Sequence, residues 1–355
     1  MDLNKLFQRV YNECLELSAK EDDYLFLKNK TIAIIGASGL IGSYFATYLA
    51  AISNKFNLQT KIIVCSNDEK GIKDLFEALK DKYHIEKSIF DVSKEFPLPE
   101  DTDYIVEAAS LANPILFSTR PVETMNINYF GCYNALEFAR KNHAKVLYVS
   151  SGEVYGEQIP FDELGFKEEQ PGIVQSNRVR SCYTESKRAC ETLVCSYQSE
   201  YQVDCLSARC CYIYGPTFTP SDSRVIFQFI RNVLNKENIV LKSDGSQLRH
   251  YMYVYDACEA IITLLRNGQS GEAYNVSTTD KPISVLDIAY AAKDVAKEEL
   301  NYDIEVVREG VSEVEKKGFS TFSHAIQNPA KLCALGFKPK IPFNEGLKRT
   351  VEIIK

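Results

Sequence analysis

The stretch KTIAIIGASGLIGSYFATYLA, residues 30–50, constrains the fold more than any other. A short run of branched apolar residues suits a strand buried on both faces. Gly36, Gly39 and Gly42 follow at three-residue spacing, and the pattern then turns helical. The first glycine permits a tight turn from strand to helix. The second lets a pyrophosphate approach backbone N–H groups, and the third lets helix and strand pack closely. Glycines also collect in ordinary turns, so the reading rests on the strand before them and the helix after.

The same alternation continues along the chain. KIIVCS, KSIFDV, DYIVEAAS, AKVLYVSS, VDCLSARC and EAYNVS read as strands rich in branched residues. Helical patterns at 69–82, 120–142, 182–201 and 254–267 separate most of them. Such alternation predicts an α/β fold: a Rossmann-type, doubly wound parallel sheet covered on both faces. Ahead of it, Leu3, Leu6, Phe7, Val10, Cys14 and Leu17 share one helical face, which predicts an amphipathic helix laid over the domain that follows. The alternation loosens after residue 210. YGPTFTPSDSR reads as a loop, 222–236 as a helix, ENIVLKSDG as a strand and turn, and 284–298 as a helix, with a helical end after PFNEGL. These pieces predict a smaller α/β domain capping the carboxyl ends of the strands, where ligands bind in open α/β sheets. The expected division is an extension over 1–28, a dinucleotide domain over 29–210 with 250–276 returning to it, and a substrate domain from 211–249 and 277–355.

A net charge of −7 leaves no electrostatic footprint for nucleic acid or an anionic membrane. No apolar run approaches the roughly 20 residues that span a bilayer. The opening MDLNKLFQRVYNECLELSAKEDDY has acidic residues throughout and lacks a signal-peptide core, so a cytoplasmic location is expected. The eleven cysteines form no C-x-x-C and lie mostly in apolar stretches, which reads as free buried thiols in a reducing compartment. The four histidines are scattered, so no metal site is expected.

The second strand ends VCSNDE, which puts Ser66 where an acidic residue would grip an adenosine ribose. No arginine follows for a 2′-phosphate, although Lys70 is near, and NAD is the expected cofactor. Asp91, closing SIFDV, reads equally as an adenine-edge contact or a strand-end cap.

In SCYTESKRAC, Tyr183 and Lys187 stand one helical turn apart, but Tyr24/Lys28 and Tyr83/Lys87 share the spacing. Context separates them. Only Tyr183 is preceded by YVSSGEVYGE, a strand running into Ser151 at a carboxyl end that should face the cofactor. Taken in order, the glycine turn, Ser151, Tyr183 and Lys187 resemble the extended short-chain dehydrogenase/reductase family. AASLANP, RCCYIYGP, DGSQLRHYMYVYDACEAI and NPAKLCALGFKPKIPFNEGLKRT resemble further segments of it, from about residue 30 to the end. Residues 1–28 fall outside the resemblance.

The resemblance implies NAD held by Gly36, Ser38, Gly39, Leu40, Ile41 and Gly42. Ser66, Asp91, Val92, Ala108, Ala109 and Lys187 would complete its site. It also implies a homodimer built on the helices at 120–142 and 182–201, for which Leu136, Phe138, Leu193, Val194 and Tyr197 offer apolar surface. A tyrosine near pKa ~10 is a poor base at neutral pH, but positive charge from Lys187 and from oxidised nicotinamide favours the phenolate. Tyr183 would then take a hydroxyl proton while Ser151 orients the oxygen.

Members of this family commonly oxidise C4 of a nucleotide sugar, and a second step separates epimerases, 4,6-dehydratases and decarboxylases. Dehydratases follow the serine-like position with Asp and Glu, and UDP-glucuronate decarboxylases carry Ser and Glu there. This chain has Gly152 and Glu153, and glycine cannot donate a proton. RSCYTESKRACETL and SDSRVIFQFI resemble the decarboxylases more than the 4-epimerases. Decarboxylation is therefore the expected outcome, with a 4-epimerase or dehydratase as the alternative. A non-catalytic cofactor sensor is the alternative of another class, and a sensor would need no phenolate. Arg249 matches a family arginine that contacts the diphosphate or a reacting group, and Arg224 has a similar place; each also reads as a solvated loop charge. Glu153 reads as a residue that positions the sugar or relays the C5 proton, or as a carboxylate capping the loop.

Overall fold

In the computed structural model, residues 2–310 and 324–355 are described, apart from 19, 95, 158–161, 163 and 171. Part of the expected 277–355 segment, 311–323, thus lies outside the described residues. The strands are β1 (Thr31–Ile35), β2 (Lys61–Ser66), β3 (Ile85–Ile89), β4 (Tyr104–Glu107), β5 (Lys145–Ser151), β6 (Cys205–Cys210), β7 (Tyr212–Tyr214), β8 (Ile239–Leu241), β9 (Leu248–Arg249), β10 (Tyr251–Tyr253), β11 (Ala273–Val276), β12 (Ile283–Ser284), β13 (Val306–Arg308) and β14 (His324–Ala325). The helices are α1 (Leu3–Leu17), α2 (Leu40–Lys55), α3 (Glu69–Leu79), α4 (Pro114–Thr119), α5 (Pro121–Asn142), α6 (Cys182–Tyr201), α7 (Val225–Asn235), α8 (Val254–Asn267), α9 (Val285–Leu300), α10 (Ala330–Ala334) and α11 (Phe343–Ile354).

Seven strands form one sheet in the order β11-β6-β5-β4-β1-β2-β3, all parallel. The chain winds outward from β1 to β3, then returns to start β4 on the other side of β1. Between β1 and β4 the winding reverses, and that switch point opens a crevice at the strands' carboxyl ends. Side chains along β1 alternate between two cores, Ile32 and Ile34 on one face, Ala33 and Ile35 on the other. The first core is closed by α2, α3 and α8, the second by α5 and α6. A strand buried on both faces leaves little place for polar side chains, which is why IAII runs on unbroken after Thr31.

Helix α1 lays Leu6, Phe7, Val10 and Cys14 into the first core, as its periodicity predicts. Its Glu13 is buried too, and accepts hydrogen bonds from the phenols of Tyr44 and Tyr253. Beyond β6 the chain makes a parallel β7–β10 pair, a β12-β9-β14 sheet and a β13–β8 pair. A cavity of about 830 Å3 lies between these pieces and the ends of β5 and β6.

The third strand differs from the expected 87–92. It runs Ile85–Ile89, pairing with Ile62–Ser66, so Asp91 and Val92 fall in the turn after it. The helix expected to reach residue 82 stops at Leu79. Helix α4 was unforeseen because six residues are too few to show a period. Its start signals are nonetheless in the sequence: the Asn113 side chain accepts from the Ile115 N–H, and Pro114 opens the first turn.

Candidate active site

The glycine turn is closed by backbone. A Cβ on Gly36, whose φ is +81°, would stand 2.8 Å from Ala109 at the end of β4. A Cβ on Gly42 would strike the Gly36 carbonyl. Gly39 differs: its φ is −83°, and the nearest atom to an added Cβ is the Gly36 oxygen at 3.4 Å. Gly39 caps α2 with no side chain bonded to the first-turn amides. Uncapped N–H groups at the head of a long helix, beside space that a side chain would fill, suit a pyrophosphate. These residues fit a dinucleotide.

The Ser38 and Ser66 hydroxyls meet at 2.7 Å, so the turn and the end of β2 converge. Asp68, near Ser66, is spent capping α3 at the Gly71 N–H. Asp91 accepts from the N–H and hydroxyl of Ser93, which hold its carboxyl below the usual carboxylate range. Asp91 thereby ties the turn that follows β3. Val92 is buried against Gly131 of α5. Ile41, Ala108 and Lys187 line the cavity. Leu40 is buried, its carbonyl accepting from Thr217, and Ala109 packs against Gly36.

Ser151, Tyr183 and Lys187 come together on one wall of the cavity. Ser151 ends β5, and its hydroxyl accepts the Glu153 N–H. Tyr183 and Lys187 occupy the first turns of α6, both buried. The Lys187 ammonium donates to the Val149 carbonyl at 2.7 Å and lies 5.9 Å from the Tyr183 ring centre. Burial pushes the Tyr183 phenol above its ordinary value, and the Glu153 charge adds to this. A Ser151 hydrogen bond and the Arg224 charge pull the other way. Burial also lowers Lys187, while Cys190 and Glu107 oppose that. The phenol therefore needs further positive charge to ionise near neutrality. Neither Tyr24 nor Tyr83 lines the cavity; the Tyr24 hydroxyl is spent on Glu259.

Gly152 does not simply lack a side chain. A Cβ there would stand 2.5 Å from the Gln327 amide oxygen. Gln327 is itself fixed, donating to the Arg209 carbonyl and the Asn275 side chain. A side chain at position 152 would have to displace the Gln327 amide and break these hydrogen bonds. Arg224 lies at the start of α7 with its guanidinium chelated by Asp222, at 2.6 Å from Nη2. Arg249, on β9, is buried with its guanidinium 5.1 Å from the Tyr212 ring centre. Both line the cavity, so neither is a solvated loop charge.

Sequence reasoning missed Arg180, Phe117, Gln327 and Glu107. Phe117 of α4 stacks on Tyr183 with ring centres 4.4 Å apart. Arg180 pairs with Glu153 at 3.1 Å. Glu107 ends β4, buried, with one oxygen on the Ala109 N–H and the other unpartnered among the described residues; burial raises its carboxyl to about 8. An acid inside an apolar strand was the available signal for Glu107. Among the described residues no three His, Cys, Asp or Glu side chains converge on a metal site, and no helix is long and apolar enough to cross a membrane.

A model of the NAD dependent epimerase/dehydratase family matches residues 32–277. The chain is 30% identical to UDP-glucuronic acid decarboxylase 6 of Arabidopsis thaliana over 322 residues, covering 91% of this chain and 88% of that protein. It is 27% identical to UDP-glucuronic acid decarboxylase 1 of Xenopus tropicalis, over 100% of this chain and 77% of that one. Among solved structures, a UDP-glucuronic acid 4-epimerase from Bacillus cereus superposes with a TM-score of 0.77 at 18% identity, covering 91% of this chain and 98% of that one. A dTDP-glucose 4,6-dehydratase from Bacillus anthracis, solved with NAD, gives 0.73 at 23% identity, over 91% and 96%. These two likenesses speak to the fold.

Proposed function

The chain belongs to the NAD dependent epimerase/dehydratase family, and we propose that within it this protein oxidises a nucleotide-activated hexuronate at C4 and releases its carboxylate as CO2. Gly152 weighs against dehydration, and the likeness to relatives named as decarboxylases carries the choice over epimerisation. Loss of water would need an acid beside Ser151, and Gln327 fills that space. Loss of CO2 needs none, because a ketone at C4 makes the carboxylate on C5 a β-keto acid. The curated relatives, named as UDP-glucuronic acid decarboxylases, support the same outcome.

Tyr183 is the base that takes the C4 hydroxyl proton, and Ser151 holds the oxygen it leaves. Lys187 keeps positive charge on the same helix face. When bound, NAD supplies the acceptor for the hydrogen leaving C4 and a positive charge beside the phenol. Gly36, Ser38, Gly39, Leu40, Ile41 and Gly42 would hold its pyrophosphate, with Ser66, Asp91 and Val92 towards the adenosine and Ala108, Ala109 and Lys187 towards the nicotinamide. The serine pair at the end of β2, without an arginine, favours NAD over NADP. Arg249 and Arg224 hold the diphosphate end of the substrate, and Glu153 faces the sugar.

We read residues 29–210 with 250–276 as the cofactor unit, since β11 completes the sheet beside β6. Residues 211–249 and 277–355 make the substrate unit. The working form is a homodimer in a reducing, cytoplasmic setting; an exposed apolar stripe on α5 and eleven free thiols support this.

The test is product mass from a panel of UDP-, dTDP-, GDP- and CDP-sugars. A UDP-hexuronate should lose the mass of one CO2 where the hydrogen taken from C4 is returned to the sugar, or of one CO2 and two hydrogens where the 4-ketone is released. Loss of one water instead would mean dehydration, and an unchanged mass with inverted C4 an epimerase.

A further inference from the structure

Arg180 sits in the 3-10 turn Val179–Ser181 that leads into α6, three residues before Tyr183. That turn folds its side chain back into the cavity. The guanidinium carbon lies 4.6 Å from the Phe117 ring centre, and Phe117 in turn stacks on Tyr183 at an interplanar angle of 21°. Cation, ring and phenol thus form one layered unit. At its edge, Arg180 Nη2 donates to Glu153 Oε1 at 3.1 Å. Both side chains are largely buried, 21% and 15% exposed. The other carboxylate oxygen, Oε2, is buried with no hydrogen-bond partner among the described residues.

A carboxylate whose charge reaches the proposed base creates a conflict. Its negative charge opposes phenolate formation, the form that removes the hydroxyl proton. We propose that Arg180 is a positioning residue, fixing one oxygen of Glu153 and cancelling its charge beside Tyr183 while leaving the second oxygen for the sugar. This rests on the reading of Tyr183 as base and deepens it.

The groups that face Tyr183 are Ser151 at the end of β5, Glu153 in the 3-10 turn after it, Cys210 from β6, and Arg224 from the approach to α7. Lys187 faces it from its own helix and Tyr148 from β5. Arg180 is faced by Glu153 and by the phenols of Tyr212 and Tyr183. Glu153 is the one carboxylate in the first set, so removing its partner should be felt at the phenol.

The experiment follows the acid limb of sugar oxidation by the NAD-loaded enzyme. Arg180→Met should move that limb to higher pH by about one unit or more, because Glu153 is left uncompensated. Glu153→Gln should move it to lower pH, because Arg180 is then unopposed. The double variant should return close to the parent, and Arg180→Lys should stay there even if turnover falls. Tyrosinate absorbance of the NAD-loaded protein, with the Tyr183→Phe spectrum subtracted, should repeat these shifts with no sugar present. Should Arg180→Met fail to fold, the Glu153→Gln and Arg180→Lys results carry the same test. A limb unmoved in Arg180→Met, an unmoved or raised limb in Glu153→Gln, or a double variant that keeps the Arg180→Met shift, would overturn the proposal. If the phenol titrates as expected but no hexuronate is turned over, the substrate reading fails and the role of Arg180 stands.

Discussion

Glu107 shows how far one residue's meaning depends on its neighbours. In the sequence it is an acid at the end of an apolar strand; in the fold it is buried against the switch point with one oxygen unpartnered among the described residues. Burial raises its carboxyl from 4.5 to about 8. The native state therefore binds a proton that the unfolded chain releases, so stability falls as pH rises from about 4.5 to 8 and levels off above. Glu107→Gln keeps the oxygen that accepts the Ala109 N–H and removes the titration. We expect it to raise the melting temperature more at pH 8 than at pH 5, and an equal change at both would count against the assignment. Tyr183 was legible in the sequence, because a strand ending in serines and a glycine turn stood in the right order around it. Arg180 and Gln327 were not. One acts through an ion pair and a ring stack, the other by filling space beside a glycine far away in the chain, and neither relation leaves a local pattern.

At the scale of elements, period and punctuation carried most of the fold. All seven sheet strands were visible as branched runs, since a doubly covered sheet demands apolar residues on both faces. Their ends were less visible, because β3 stops at its pairing with β2 rather than at a sequence signal. The short strands β7, β9, β10, β12, β13 and β14 were missed because pieces of two or three residues have no period. The glycine turn separates packing from binding within a single element. Gly36 and Gly42 meet backbone, so side chains there should unfold the turn. Gly39 meets only one oxygen at 3.4 Å with an ordinary φ. Gly39→Val should therefore remain folded by circular dichroism yet lose NAD binding in calorimetry by at least ~10-fold. Unchanged affinity in the folded variant would place the cofactor elsewhere.

At the scale of the whole molecule, the expected association needs a different set of residues. Leu136, Val194 and Tyr197 are buried, and Phe138 and Leu193 pack against the same core, so they offer little to a partner. The unpartnered face is Val122, Met125, Tyr129, Phe130 and Tyr133, one stripe along α5 at helical spacing. An exposed apolar stripe of this length marks an interaction surface. Light scattering at micromolar concentration should give a dimer mass, and Phe130→Asp should give the monomer. A parent protein that is already monomeric would remove the homodimer.

The cavity, the sheet switch point and the Tyr183 wall all converge on one claim, that a sugar is oxidised at C4 before anything else happens to it. Quenching a single turnover of NAD-loaded protein and UDP-glucuronate with borodeuteride tests this directly, since a C4 ketone takes up deuterium at that carbon. The account predicts sugar labelled at C4 at early times, with CO2 released in step. Release of CO2 with no deuterium at C4 at any time would contradict it.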